Sequence, residues 1–155
     1  MNSTRHLNAI ARRIAPRLQG ESITIVGHSA GAAAGSWLAT QLLQQRIEIK
    51  GIVMVDGNDS PNHLMKKAWT ELQSTAIRAV LAPPSPCNRQ GELEKFLQKN
   101  RPGSVTVIPG SGHGDIEVSP SQMYRRVCGD NSTAETKQEV LLAVITAIKD
   151  LQGPS

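Results

Sequence analysis

Apolar positions along this chain follow two alternating rhythms. Leu7, Ile10, Ile14 and Leu18 recur at helical spacing and predict a surface helix from about Thr4 to Leu18. Pro16 and Gly20 mark its end. Ser22 to Val26 is a short β-branched run closed by Gly27, and reads as a strand. The segment from Ala32 to Gln45 is rich in Ala, Leu and Gln and reads as a helix. Further strands are predicted at Glu48–Val55, Thr75–Leu81 and Ser104–Ile108. Further helices are predicted at Pro61–Gln73, Gly91–Lys99 and Ala134–Leu151. The last of these sets Val140, Leu141, Val144, Ile145 and Ile148 on one face, with Ser132 or Thr133 placed to cap it.

Short apolar strands separated by helices imply an α/β fold. The expected form is a parallel sheet of about four strands flanked by helices, in one domain over residues 1–155. No repeat, low-complexity stretch or long linker divides the chain. Only about 20 residues separate Val55 from Ala76. That is room for one helix but not for a cap domain, so an open site is expected.

Composition narrows the picture. Hydrophobic residues make up 39% of the 155 positions and charged residues 19%, which fits a globular core and not a disordered chain. No apolar run reaches the roughly 18 residues of a membrane span. The net charge is +4, but the basic residues are scattered apart from Arg12, Arg13 and Arg17 and the pair Arg125–Arg126. A nucleic-acid face would cluster them, so no nucleic-acid partner is expected. The first twenty residues hold four Arg and no Asp or Glu. That composition also suits a targeting peptide, but the helical spacing favours a surface helix. There is no apolar signal core, and the expected compartment is the cytoplasm. Cys87 and Cys128 lack metal-ligand spacing; one disulfide is possible but not implied, and two reduced thiols are the favoured reading. No cofactor or metal is expected.

The chemistry should sit in the loops after the strands. The first strand leads into Gly27-His28-Ser29-Ala30-Gly31 and then a helix, which is G-x-S-x-G between strand and helix. A turn that sharp lifts the serine hydroxyl above the sheet. Gly27 and Gly31 keep side chains out of the crossing, and the Ala32–Gly35 run lets the helix lie close. The helix N-terminus faces any negative charge that develops at Ser29. The second strand leads into Asp56-Gly57-Asn58-Asp59. Asp56 suits the acid that orients a histidine, while Asp59 or Ser60 better suits a helix cap. The fourth strand leads into Gly112-His113-Gly114, where flanking glycines let an imidazole reach a neighbouring hydroxyl. His28 is expected to bond locally, and His6 and His63 to lie on the surface. Neither G-x-G-x-x-G nor a P-loop follows any strand, which argues against a nucleotide site.

The order Ser29, Asp56, His113, carried by IVGHSAGA, VDGND and PGSGHGDIE, resembles the α/β-hydrolase superfamily, and bacterial serine esterases within it. The resemblance covers nearly the whole chain. It implies Ser29 as nucleophile, His113 as general base and then acid, Asp56 as its orienter and the Ala30 N–H as an oxyanion donor. It implies a small-molecule ester or thioester as substrate. In the family the acid more often follows the third strand of this set. Here that loop, Ala82 to Arg89, holds no carboxylate, which returns the role to Asp56. A typical member also has about four strands before the elbow strand, and these bring a second oxyanion donor. This chain resembles only the part from the elbow onward. The loss of one such donor costs about 10²–10³ in rate. Without those strands Ile23–Val26 would be a bare edge, so a homodimer contact, an N-terminal partner or the N-terminal helix region is expected to cover it. The alternative is a non-catalytic remnant or subunit that needs a partner.

Overall fold

The computed structural model describes residues 3–117, Cys128 and 133–153. Four strands alternate with helices: α1 (Ser3–Ile14), β1 (Ser22–His28), α2 (Ala30–Gln44), β2 (Glu48–Val55), α3 (Leu64–Ala68), β3 (Ala76–Leu81), α4 (Glu92–Asn100), β4 (Val105–Val107) and α5 (Ala134–Gln152). The strands form one parallel sheet in the order β1-β2-β3-β4. Each strand lies beside its predecessor and parallel to it, so every loop that follows a strand opens at the same end of the sheet.

Side-chain alternation along β2 builds two cores. Ile52 and Met54 point to a layer with Ala33, Leu42, Leu64, Leu72, Leu93 and Leu97. Val53 and Val55 point the other way, toward Val140, Val144, Ala147 and Leu151 of α5. Burying each such side chain stabilises the fold by roughly 1.5–3 kcal/mol. A central strand buried on both faces reads as a continuous apolar run, as EIKGIVMV does after Gly51.

Element ends differ from expectation where local hydrogen bonding intervenes. The predicted helix over Pro61–Gln73 shrinks to α3, five residues from Leu64. His63 adopts a left-handed conformation with φ 53°, which stops the helix extending back to Pro61. Ser60 Oγ accepts the Leu64 N–H, and Asp59 Oδ1 accepts the Met65 N–H. Those two residues therefore take the capping role. The first helix ends at Ile14 and tightens into a 3₁₀ turn over Ala15–Arg17, where Pro16 sits. Thr133 caps α5 by accepting the Thr136 N–H at 3.2 Å. Ser132, the other expected cap, and the Arg125–Arg126 pair lie outside the described residues.

Two expectations are corrected. Cys87 and Cys128 are joined in a disulfide and are not reduced thiols. Cys87 stands in the turn after β3, and chain spacing carries no sign of its meeting Cys128. The N-terminal helix does not cover the sheet edge. Through its Asn8–Trp37 hydrogen bond and its apolar stripe, α1 packs on α2, and among the described residues β1 pairs with β2 alone. Val26 on β1 is 48% exposed. Between β2 and β3, residues 56–75 hold α3 and turns, with no cap domain. Among the described residues, no helix is long and apolar enough to cross a membrane.

Candidate active site

Ser29 stands between the last residue of β1 and the first of α2, with φ 55° and ψ −126°. A non-glycine residue rarely holds that conformation, and it costs of order 1–3 kcal/mol. The surroundings enforce it. The Ser29 N–H donates to Val55 O, and Ser29 O accepts from Ala32 N and Asn58 N. Gly27 is required, because a Cβ there would lie 2.6 Å from the Gly31 carbonyl carbon. Gly31 is not held to glycine in the same way. Among the described residues nothing lies within 4 Å of a Cβ built on it, which corrects the expectation that both glycines clear the crossing. Gly35 has the role foreseen for the small-residue run, since its Cβ would sit 3.1 Å from Ile25 Cγ2.

The three residues singled out after β1, β2 and β4 meet in one line. Ser29 Oγ lies 2.9 Å from His113 Nε2, and His113 Nδ1 lies 2.5 Å from Asp56 Oδ2. Asp56 is 3% exposed and His113 5%. An ionised carboxylate only accepts, so the imidazole proton sits on Nδ1. That leaves the Nε2 lone pair to accept from the serine hydroxyl. Asp56 also carries a positive φ of 36°, with its N–H donating to Val80 O. Ala30, the first residue of α2, is exposed beside Ser29. Its N–H belongs to the first helical turn, whose donors have no partner within the helix.

His28 bonds less locally than expected. Its Nε2–H donates to the His113 carbonyl at 2.8 Å, so it braces the loop that carries the base. Burial pulls its pKa below the ordinary 6.5, against the opposing pull of the His113 carbonyl and the Glu117 carboxylate. His63 lies on the surface as expected, 3.6 Å from Asp59.

One residue at the site escaped sequence reasoning. Asn88 is buried and donates from Nδ2 to Asp56 Oδ1 at 3.0 Å. The Ala82 N–H donates to the same oxygen, also at 3.0 Å. The sequence signal was present in the Pro-Ser-Pro-Cys-Asn loop, but a search for carboxylates passes over an amide. Among the described residues no cluster of His, Cys, Asp or Glu could hold a metal ion.

Chemically, the arrangement can polarise a hydroxyl, accept its proton and hold the resulting imidazolium against a buried carboxylate. No family model matches the chain, and neither the curated proteins nor the solved structures contain a match.

Proposed function

We propose that the chain is a serine hydrolase of the α/β-hydrolase type, cleaving a carboxylic ester or thioester through an acyl-enzyme. The reading rests on one observation above all: Ser29 Oγ, His113 and Asp56 hydrogen-bonded in series at a strained strand-to-helix turn. Ser29 attacks the carbonyl carbon while His113 Nε2 takes its proton. The Ala30 N–H and the α2 N-terminus stabilise the oxyanion. His113 then returns the proton to the departing alcohol or thiol. Water, deprotonated by the same imidazole, releases the acid and restores Ser29.

The test is labelling of the purified chain by a fluorophosphonate, read by intact mass, with Ser29→Ala and His113→Ala beside it. A single adduct on the wild type, absent from both variants, is the expected result. No adduct on a folded wild-type chain would overturn the claim that this chain works alone. It would favour the second reading, a subunit that needs a partner.

The open edge of β1 is the observation that favours that second reading. We infer that the occupant of that edge is a polypeptide bringing a strand and an amphipathic helix. In the hydrolase reading it would also bring the second oxyanion donor. The cytoplasmic setting expected from the sequence went with reduced thiols. With Cys87 joined to Cys128, we place the working site in an oxidising compartment.

A further inference from the structure

The acid of the Ser29 line is not held by backbone alone. Asp56 Oδ2 is committed to His113, so the other oxygen decides how the carboxylate is aimed. Oδ1 takes one hydrogen bond from the Ala82 N–H and one from Asn88 Nδ2. The amide of Asn88 is itself fixed on both ends. Its Oδ1 accepts the Ser85 N–H at 2.8 Å and the Gly91 N–H at 3.0 Å. Its Nδ2 also faces the Pro83 and Ala82 carbonyls, at 3.0 and 3.3 Å. That pattern of two donors at one end and three acceptors at the other sets which way the amide points.

Asn88 is anchored from both sides of its loop. Pro86 to Asn88 form a 3₁₀ turn, and the preceding residue, Cys87, is tied by its disulfide to Cys128. The Cys87 carbonyl accepts from Asn58 Nδ2 at 3.1 Å, and the Asn58 N–H donates to Ser29 O at 3.3 Å. Contacts thus run in a closed ring: Ser29 to Asn58, Cys87, Asn88, Asp56, His113 and back to Ser29.

We propose that Asn88 is the positioning residue of this site, holding Asp56 in the orientation that presents a neutral His113 to Ser29. The inference rests on the hydrolase reading of the same residues. It adds a role for the loop after β3, which holds no carboxylate of its own. An amide suits the position. It donates to Asp56 while accepting the two backbone N–H groups that shape the turn, and adds no charge. An aspartate at the same place would set a second carboxylate against the first.

The experiment compares wild type, Asn88→Ala and Asn88→Asp by the rate of fluorophosphonate labelling across pH and by the ¹H NMR signal of the His113 Nδ1 proton. Asn88→Ala should label about 10²-fold more slowly, the cost of a misplaced group remote from the reacting bond. Its Nδ1 proton, expected far downfield in the wild type, should move upfield or vanish. In Asn88→Asp the two facing carboxyls must share one proton, so labelling should slow as pH rises and that proton is lost. A folded Asn88→Ala with the wild-type rate, pH profile and Nδ1 signal would overturn the proposal. Wild-type protein labelled with ¹⁵N supplies a readout that needs no variant. The Asn88 side-chain amide should shift as His113 titrates, and a flat response would overturn the proposal as well. If the wild type takes no adduct but its Nδ1 signal still depends on Asn88, the claim that this chain works alone as a hydrolase fails and the positioning role stands.

Discussion

Two of the three central side chains are placed by a backbone that their residue types would not choose. Ser29 and Asp56 both hold positive φ angles, and both are pinned by main-chain hydrogen bonds to neighbouring strands. That division of labour predicts different costs on substitution. Asp56→Asn keeps the shape but can turn its amide donor toward Nδ1, forcing the wrong tautomer on His113. The rate of labelling or ester turnover should fall by about 10⁴, with little change in melting temperature. His28 belongs to stability instead. Its pKa is depressed by burial, so the folded state binds fewer protons there than the unfolded state. The contribution is full above the unfolded value of 6.5 and is lost as pH falls through the lower folded value. Wild-type melting temperature should therefore drop more steeply below about pH 6.5 than that of His28→Gln, which keeps a donor for the His113 carbonyl. Parallel curves would show that His28 is not the group responsible.

At the level of elements, strand and helix positions follow from apolar rhythm alone wherever the core is the deciding force. β2 matches its expected bounds because both its faces are buried, and α5 nearly does because its stripe meets Val53 and Val55. Rhythm fails at α3, where His63 and the side chains of Asp59 and Ser60 set the start and burial says nothing about it. That Ser29, Asp56 and His113 meet was legible because each follows a strand, and parallel strands deliver such loops to one end. Asn88 and the disulfide were not, because they depend on two loops meeting through space. The elbow gives a sharper test of local packing. Gly27→Ala should cost about 1–3 kcal/mol, because the atoms it strikes are backbone and cannot turn aside. Gly31→Ala meets open space at ordinary helical geometry and should stabilise the chain by about 0.5 kcal/mol through the unfolded state. Chemical denaturation of the two variants separates a glycine needed for room from one the fold tolerates without need.

On the scale of the whole molecule, the sheet of the described residues ends in a short edge on one side and a long one on the other. β4 is three residues long, whereas β1 runs seven residues without a charge or a proline. Among the described residues the helix over the second face covers part of it. α5 lies across β2 and β3, and one flank of it (Ala143, Thr146, Ala147 and Asp150) lines a hollow with Arg78, Val80 and Thr106. The opposite flank, carrying Leu141 and Ile145, therefore turns toward β1, and these two are 50% and 40% exposed. Together with Val26, exposed on β1, they offer apolar surface, a shelf beside a strand that among the described residues pairs with β2 alone. Strand spacing decides what fits there. A second copy joined β1 to β1 by a two-fold axis normal to the sheet would set the two α5 helices four spacings apart, roughly 19 Å. Packed helices lie about 8–10 Å apart, so that dimer leaves the shelf open. One added strand with a helix seated over it and β1 puts that helix two spacings from α5, about 10 Å, where it would bury Leu141, Ile145 and Val26. The chain alone should accordingly sediment as a monomer prone to aggregation. Val26→Lys should raise its solubility without lowering its melting temperature, and should block capture of a strand-and-helix partner. A discrete, stable dimer by sedimentation, lost in Val26→Lys, would mean instead that the edge closes on a second copy of itself.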